Sequence, residues 1–313
     1  MKRILITGGT GFIGSAISNF FSKKGYKITI LDNNSRGKLK RIKDNNKNIN
    51  FILGDITKFE DVFKASKKQD YIFHLAAING TKFFYQKPDK VLDVSCKGIL
   101  NVVEVAKKLK IKNIFLASSS EVYHYPNKIP TDEQEPIKIP DVFNPRYSYA
   151  GGKILTELIG INNAKFFKKM IIFRPHNVYG YDMGNEHVIP ELIKKIKKRN
   201  SKNINLKIHG TGNEIRTFIH IQDFVDAFGC IFKKGKHLDI YNIGTQKKIK
   251  IKDLAKLIGK KLNRKILIKK NKKIVGGTSI RCPNTKKINN LGFRAKISLS
   301  KGLDLILSKK TII

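Results

Sequence analysis

A tyrosine and a lysine four residues apart can act together as a general base. Tyr149 and Lys153 stand at positions i and i+4, so both side chains lie on one face if the segment is helical. A lysine ammonium beside a phenol stabilises the phenolate and lowers the pKa of the tyrosine. A phenolate near neutral pH can take a proton from an alcohol, a contribution of roughly 10²–10⁴ in rate. The spacing also arises by chance, so the pair needs support from other features.

Three consecutive hydroxyls supply that support. Ser118, Ser119 and Ser120 follow an apolar run at 113–117 that predicts a strand. In open α/β sheets, ligands bind at the carboxyl ends of the strands. The serines are therefore expected at the edge of the sheet where a substrate hydroxyl could meet the tyrosine.

A glycine-rich turn near the N-terminus predicts an anion site. Gly8, Gly11 and Gly14 lie between a short apolar strand and a helix. Glycines allow a tight turn and a close backbone approach, and a helix N-terminus presents free N–H groups and a positive dipole to a pyrophosphate. The spacing differs from the Gly-x-Gly-x-x-Gly fingerprint, but the strand–turn–helix context is the required one. We therefore expect a dinucleotide here.

Two carboxylates indicate which dinucleotide. Asp32 ends the second predicted strand, where a carboxylate accepts hydrogen bonds from the adenosine ribose. A carboxylate there repels a 2′-phosphate, so NAD is favoured over NADP, although Arg36 nearby keeps NADP open. Asp55 follows the third strand, where it could accept from the adenine amino group or simply cap its own loop.

Strands and helices alternate along the first half of the chain. The pattern predicts a Rossmann-type α/β fold, a doubly wound parallel sheet with a smaller C-terminal α/β substrate domain. The expected domains are 1–178 for NAD binding, with part of 217–245 returning to it, and 179–313 for the substrate. Strands are expected at 2–7, 26–31, 50–53, 71–75, 113–117 and 170–173, and helices at 13–24, 59–68, 91–109 and 149–167.

Composition narrows the class of protein. The 313 residues are 41% hydrophobic and 28% charged, which argues against disorder. The three cysteines are widely separated, so they predict neither a disulfide framework nor a zinc site, and no metal is expected. No apolar run is long enough to span a bilayer, and the N-terminal apolar stretch is interpreted as a buried strand. A cytoplasmic protein with no membrane partner is the expectation.

The strong positive charge is not taken as a nucleic-acid signature. The net charge of +39 comes from 53 lysines and only 10 arginines, spread over the whole chain. Proteins that clamp phosphates or recognise bases rely on the bidentate fork of arginine. Lysine, asparagine and isoleucine share A/T-rich codons, so genome composition explains the excess. No specific nucleic-acid partner is expected, although the charge would steer anionic substrates towards the protein.

Six motifs in order then carry a resemblance to a family. Together they resemble the extended short-chain dehydrogenase/reductase family, the NAD-dependent nucleotide-sugar epimerases and dehydratases, from Lys2 to about Leu303. The motifs are 7–14 (Thr-Gly-Gly-Thr-Gly-Phe-Ile-Gly), 74–77 (His-Leu-Ala-Ala), 118–123 (Ser-Ser-Ser-Glu-Val-Tyr), 149–153 (Tyr-x-x-x-Lys), 174–180 (Arg-Pro-His-Asn-Val-Tyr-Gly) and 216–223 (Arg-Thr-Phe-Ile-His-Ile-Gln-Asp).

The resemblance implies roles for individual residues. Tyr149 is the base, Lys153 its partner at the nicotinamide ribose, and Ser119 the hydroxyl that binds the reacting oxygen, with Glu121 as a further catalytic candidate. Asn177 and Arg216 are implied to meet the diphosphate of a nucleotide sugar. The remaining cofactor contacts are predicted at Gly8, Gly11, Phe12, Ile13, Gly14, Asp32, Asn33, Asp55, Ile56, Leu75, Ala76 and Ala77, and the remaining substrate contacts at Ser120, His176, His187, Val188 and Arg281.

The motifs indicate the family more clearly than they indicate the reaction. The resemblance implies that the C4 hydroxyl of the sugar is deprotonated while hydride moves to NAD, which gives a 4-keto sugar. Dehydratases typically have Thr-Asp-Glu where this chain has Ser119, Ser120 and Glu121, so the expected proton donor is missing. Decarboxylases of nucleotide uronates have Thr-Ser-Glu there. We therefore expect a 4-epimerase, with a 4,6-dehydratase, a decarboxylase and a net 4-dehydrogenase or reductase as alternatives.

A different class of function also stays open. Some family members bind NAD without catalysis and act as regulators or RNA-binding proteins, which the charge would suit. The retained Ser119, Tyr149 and Lys153 argue against that class. The resemblance further implies a homodimer through a four-helix interface, formed by the helices predicted at 91–109 and 149–167, and a role in polysaccharide precursor synthesis.

Overall fold

The computed structural model describes residues 1–42, 47–269 and 277–308, which divide into two compact units. The first comprises 1–122, 137–174 and 228–241, and the second 123–136, 175–227 and 242–313. The strands are β1 (Arg3–Thr7), β2 (Lys27–Asp32), β3 (Ile49–Leu53), β4 (Tyr71–His74), β5 (Asn113–Ala117), β6 (Lys169–Pro175), β7 (Val178–Tyr179), β8 (Asn203–Lys207), β9 (Ile215–Arg216), β10 (Ile219–His220), β11 (Asp239–Ile243), β12 (Ile249–Lys250), β13 (Lys265–Lys269) and β14 (Ile280–Arg281). The helices are α1 (Phe12–Lys23), α2 (Phe59–Ser66), α3 (Thr81–Gln86), α4 (Pro88–Lys108), α5 (Ser148–Asn162), α6 (Val188–Lys197), α7 (Ile221–Lys234), α8 (Ile251–Lys261), α9 (Lys286–Asn290) and α10 (Leu299–Leu307).

A seven-stranded sheet organises the first unit. Its strand order is β3-β2-β1-β4-β5-β6-β11, and the pairs from β3 to β6 are parallel. The order reverses between β1 and β4, which is the switch point of a doubly wound fold. The predicted Rossmann-type sheet is therefore confirmed, with the six expected strands present.

Both faces of this sheet are buried, as expected where helices cover each side. Along β4 and β5, Ile72 and Ile114 face an aliphatic cluster that includes side chains of α2 and α4, such as Val62 and Ile99. Phe73, one residue further along β4, faces the other side. There the rings of Phe21, Phe73, Phe115, Phe173, Phe228 and Phe232 meet mainly edge to face, with centroids 4.8–5.9 Å apart.

Two neighbouring glycines distinguish the packing of α5 against α4. A Cβ on Gly152 would lie 2.5 Å from the Cβ and Oγ of Ser95 on α4, whereas a Cβ on Gly151 would meet its nearest neighbours at 3.9 Å. Ser95 is itself fixed, because its hydroxyl donates to the Val91 carbonyl at 2.8 Å. Glycine at 152 therefore permits the close approach of the two helices.

Alanine substitutions at these two positions should have opposite effects on stability. Gly152→Ala should lower the free energy of unfolding by about 1–3 kcal/mol through overpacking. Gly151→Ala should raise it by up to about 1 kcal/mol, because alanine favours the helix and finds room. Chemical denaturation of both variants against the unmodified protein measures the two changes. Equal stability of the two variants would contradict the proposed packing.

Helix α5 ends earlier than the sequence pattern predicted. The apolar periodicity suggested a helix over 149–167, but the helix ends at Asn162 and a 3-10 turn follows at Ala164–Phe166. The side chains of Asn162 and Asn163 donate to the carbonyls of Leu158 and Ile159 at 2.8 Å, which satisfies the last turn locally. Within the described ranges, no helix has the length and apolar character needed to cross a membrane.

The second unit has short sheets and its own core. β7 pairs with β10, β8 with β13, and β9 with both β12 and β14. Buried aliphatic residues from α6, α8, β8 and α10, together with Tyr179, form one cluster. Each unit is built from three separate segments of the chain. The domain boundary predicted at residue 178 stays a prediction.

Candidate functional site

The turn after β1 fits a pyrophosphate. Gly8 has φ +71°, and a Cβ there would lie 2.8 Å from the backbone of Ala76, while a Cβ on Gly14 would overlap the Gly8 carbonyl oxygen. Helix α1 has Gly11 as its N-cap, with no side-chain cap and no acidic residue in its first turn. The helix N-terminus thus keeps its N–H groups for an anion, and Phe12 and Ile13 are its first two residues.

Asp32 is held where the sequence placed it, at the end of β2. Its exposed fraction is 9%, and its two carboxylate oxygens accept from the backbone N–H groups of Thr10 at 3.0 Å and Asn34 at 2.9 Å. The carboxylate therefore ties the glycine turn to the end of β2. This geometry fits an adenosine ribose at the same point.

Asp55 is fixed by its own loop. Its carboxylate accepts from the backbone N–H and hydroxyl of Thr57 at 2.9 and 2.8 Å, and from the Asn33 amide at 3.2 Å. Burial alone would raise the pKa of Asp55, but these hydrogen bonds outweigh it and lower the pKa below the usual value. The loop-capping role is thus present, and the predicted adenine contact stays a prediction. Ile56, the next residue, is 7% exposed.

Thr7, which is hydrogen-bonded to His74, holds the start of the loop that carries Leu75, Ala76 and Ala77. The hydroxyl oxygen of Thr7 accepts from the N–H groups of Leu75 and Ala76 at 3.2 Å and forms a hydrogen bond with Nδ1 of His74, 2.9 Å away. Burial, followed by the charge of Lys153, lowers the pKa of His74 to about 3. The imidazole is therefore neutral at neutral pH and has a structural role, next to the predicted cofactor contacts.

Tyr149 and Lys153 lie together on the buried face of α5. Their exposed fractions are 6% and 3%, and the lysine Nζ is 5.9 Å from the centre of the tyrosine ring. Lys153 donates to the carbonyl of Ala117, the last residue of β5, at 2.7 Å. Tyr149 stacks on Phe84 of α3, with ring centroids 5.0 Å apart. The pair predicted from the sequence is thus preorganised at the carboxyl edge of the sheet.

The serine segment begins directly after β5. Ser118, Ser119 and Ser120 are all buried, and Ser120 begins a 3-10 turn that continues to Tyr123. The hydroxyl oxygen of Ser119 accepts from the N–H of Glu121 at 3.2 Å. Lys153 and these serines therefore share the end of one strand, which brings the predicted catalytic residues into one region.

A buried ion pair close to the serine segment was missed in the sequence analysis. Glu157 on α5 and Arg174 on β6 form an ion pair, in which the arginine Nη2 lies 2.6 Å from the glutamate Oε2. Ser118 donates its hydroxyl to the same carboxylate. The spacing from Lys153 to Glu157, one further helical turn, was the available clue.

Two arginines of the second unit are neighbours across a strand pair. Arg216 on β9 and Arg281 on β14 are register partners in parallel strands. The Arg216 guanidinium donates to the carbonyls of Ile215 and Thr278 at 2.8 Å, which fixes its position. Adjacent like charges repel, so an anion placed between two such side chains is favourable.

The other substrate candidates of the second unit have different environments. Asn177 has φ +41° and donates its amide to the Thr217 carbonyl at 2.9 Å. His176 is 1% exposed, and its Nε2 lies 3.0 Å from Oδ1 of the buried Asn242. His187 is the N-cap residue of α6 and Val188 its first residue. Their roles in substrate binding stay predictions.

Comparison with known proteins identifies a family to which the chain is similar. The model of a family described as "NAD dependent epimerase/dehydratase family" matches residues 4–244. The chain is 32% identical over 279 residues to dTDP-D-glucose 4,6-dehydratase of Dictyostelium discoideum, a match that covers 82% of this chain but only 62% of that longer protein. It is also 32% identical over 257 residues to UDP-N-acetyl-alpha-D-glucosaminuronate decarboxylase of Bacillus cytotoxicus, covering 81% of this chain and 78% of the relative.

The fold has close counterparts among solved structures. UDP-glucose 4-epimerase of Thermotoga maritima, solved with UDP-glucose, superposes with a TM-score of 0.85 at 25% identity. That match covers 98% of this chain and 97% of the other. The relatives thus include enzymes that epimerise, dehydrate and decarboxylate nucleotide sugars.

Proposed function

The chain belongs to the NAD-dependent epimerase/dehydratase family, and we propose that it is a nucleotide-sugar 4-epimerase that acts through a 4-keto intermediate. The observation that supports this best is the buried pair of Tyr149 and Lys153, in which Lys153 donates to the carbonyl of Ala117, directly before three serines. The enzyme uses NAD, which when bound supplies the hydride acceptor for C4 of the sugar. The glycine turn and Asp32 are the residues that would hold it.

The protein side chains supply the proton chemistry. Tyr149 takes the proton of the C4 hydroxyl, and the ammonium of Lys153 stabilises the resulting phenolate. Ser119 donates a hydrogen bond to the C4 oxygen as it becomes a carbonyl. For epimerisation, the keto sugar must turn over so that hydride returns to its other face, with Tyr149 giving the proton back.

Ser120 is the reason for preferring epimerisation to dehydration. Elimination of water needs an acid for the leaving hydroxyl, and a serine hydroxyl is a poor acid compared with a carboxylic acid. Ser120 is 4% exposed and is followed by Glu121 as the only acidic residue of the 118–123 motif. An epimerase needs no second acid–base group at this point.

We propose that the nucleotide diphosphate is bound by residues of the second unit. The register pairing of Arg216 with Arg281 supports a two-armed clamp on the phosphates. Asn177 also supports this binding mode. Its side-chain amide nitrogen donates to the carbonyl of Thr217, which fixes the direction of the side-chain oxygen of Asn177. A nucleotide sugar is therefore the proposed substrate, with the base and the sugar left to experiment.

Product analysis tests the reaction. Purified enzyme with NAD would be incubated with a panel of UDP-, dTDP-, GDP- and CDP-sugars, and products followed by mass spectrometry and sugar NMR. An unchanged mass with an inverted C4 centre is the expected result. Loss of water would establish a dehydratase, and a change of two hydrogens with NAD turnover would establish a net oxidoreductase; either result overturns the epimerase.

Decarboxylation of a nucleotide uronate is the second candidate. The specific observation in its favour is the Ser120-Glu121 pair, which is closer to the Thr-Ser-Glu of decarboxylases than to the Thr-Asp-Glu of dehydratases. Including UDP-uronates in the same panel decides it. Loss of carbon dioxide would replace the epimerase with a decarboxylase.

Activity should fall as pH rises through about 8. Burial lowers the pKa of Lys153 to about 8, against the opposing effect of Glu157. The lysine is charged below that pH and neutral above it, and only the charged form stabilises the Tyr149 phenolate. This decrease should be measured in the pH profile of kcat/KM. The Lys153→Arg variant should show no decrease near pH 8, because a guanidinium stays charged there. A profile that is level up to the ordinary lysine pKa of about 10.4 would contradict the assignment.

We also propose that the chain forms a homodimer through α4 and α5. Apolar side chains remain exposed on both helices, with Leu92 and Leu100 two turns apart on α4, and Leu158 and Ile161 on α5. Pairing these surfaces in two copies would bury them in a four-helix interface. Sedimentation velocity is expected to give the mass of a dimer, and Leu100→Glu should shift it to the monomer. A monomer in the unmodified protein overturns this interface.

A further inference from the structure

The buried carboxylate of Glu157 joins three elements at the carboxyl edge of the sheet. Its Oε1 accepts from Nε of Arg174 at 2.8 Å and from the hydroxyl of Ser118, and its Oε2 accepts from Nη2 of Arg174 at 2.6 Å. Glu157 and Arg174 are each 2% exposed, and Ser118 is 3% exposed. The carboxylate thus connects α5, the residue after β5 and the end of β6 in one hydrogen-bonded network.

Glu157 lies on the same face of α5 as the catalytic pair. Tyr149, Lys153 and Glu157 are spaced four residues apart, and all three are buried in α5. Ser118, which Glu157 holds, is the direct neighbour of Ser119. A movement of this carboxylate would therefore be transmitted to both sides of the proposed reaction centre.

Three elements carry the titratable side chains of the region around Lys153. On α5, the Glu157 carboxylate raises the pKa of Lys153, opposing the larger effect of burial. On β4, His74 is neutral at neutral pH because its pKa is lowered to about 3. On β6, Arg174 has its charge balanced by Glu157. Helix α4 contributes the uncharged Ser95 where it meets α5. Glu157 is thus the anion next to Lys153 on its own helix face.

We propose that Glu157 is a positioning residue for the catalytic pair of the proposed function: its buried carboxylate holds Ser118, and with it the serine segment, and places a negative charge one helical turn from Lys153 on the same face of α5. A buried ion pair need not be stabilising and often serves only the fold. The proposal therefore requires a measurement that a purely structural ion pair would not affect.

Spectroscopic titration of Tyr149 is that measurement, and it needs no substrate. The phenolate absorbance of each protein would be recorded against pH, and the same titration of its Tyr149→Phe derivative subtracted, which isolates Tyr149 from the other nine tyrosines. Glu157→Gln keeps the shape of the side chain but removes its charge. Lys153 then loses its proton at lower pH. Lys153 is one helical turn from Tyr149 and Glu157 is two, so the loss of the lysine charge should outweigh the direct effect of removing the carboxylate, and the phenolate midpoint of Tyr149 should rise by about half a pH unit or more.

Two further variants separate positioning from stability. Glu157→Gln leaves Arg174 buried without its counter-ion and should lower the melting temperature. Glu157→Gln combined with Arg174→Met removes both charges, so the melting temperature should recover in part while the raised midpoint remains. Glu191→Gln makes the same chemical change in the half-buried pair with Lys195 on α6 and should leave the midpoint unchanged.

The outcomes are decisive whichever reaction the enzyme performs. A raised Tyr149 midpoint in the folded double variant supports the proposal, even if no sugar of the panel is turned over. An unchanged midpoint in that variant, shown to be folded by its cooperative melt, overturns it and leaves Glu157 a structural residue. Absence of turnover in the unmodified protein would count against the proposed function alone.

Discussion

Replacing Tyr149 by phenylalanine should lower kcat by roughly 10²–10⁴ while leaving the fold and NAD binding intact. The substitution removes only the hydroxyl group. The aromatic ring keeps its stacking on Phe84, with the two ring centroids 5.0 Å apart. The general base is lost, whereas the glycine turn and Asp32 are untouched. Single-turnover kinetics with the nucleotide sugar identified by product analysis, alongside NAD titration by calorimetry, measures both quantities.

Phe84→Leu provides the matched control for this variant. It removes the stacked ring but keeps the phenol, so kcat should change far less than in Tyr149→Phe. If Tyr149→Phe turned over substrate like the unmodified protein, the tyrosine would not be the base. A function that depends on binding alone would then be favoured, because a binding protein has no need of the phenol.

Gly14→Ala should abolish measurable NAD binding and destabilise the first unit by about 1–3 kcal/mol. The added Cβ would overlap the carbonyl oxygen of Gly8, which is backbone and cannot rotate away. Either α1 shifts away from the turn or the turn opens, and both changes remove the N–H groups of the helix N-terminus from the pyrophosphate. NAD titration and chemical denaturation would be run on the same preparation.

Gly151→Ala serves as the control for Gly14→Ala. It adds the same methyl group in a helix of the same unit, but with 3.9 Å of clearance, so NAD affinity should be unchanged. Retained NAD affinity in a folded Gly14→Ala protein would show that the turn does not contact the pyrophosphate in the proposed way.

The sheet and the positions of the proposed catalytic pair were predictable because they depend on local patterns. Apolar runs of four to six residues bounded by glycine or aspartate predicted the six parallel strands, and these are confirmed. The four-residue spacing of Tyr149 and Lys153 needed only helical geometry to bring the side chains to one face. Asp32 was identified because it stands at the end of an apolar strand.

Features that depend on distant partners were not predictable in this way. The ion pair of Glu157 with Arg174 joins a helix to a strand that follows it, and neither residue type at its position indicates the other. The early end of α5 was missed because apolar periodicity continues past Asn162, while the capping side chains decide the boundary. The reaction type is open for the same reason: it depends on how a substrate is oriented, which no spacing of residues records.

The contact between Gly8 and Ala76 has a consequence for the order of folding. The glycine turn is formed by residues 8–14, yet Gly8 packs against the backbone after β4, almost seventy residues further along the chain. Because loop closure over such a distance is slow compared with local helix formation, the turn acquires its final shape only when β4 docks beside β1. The ability to bind the dinucleotide should therefore arise late, in the same cooperative step that forms the sheet. A nascent chain that has formed only β1, α1 and β2 should not yet be stabilised by NAD.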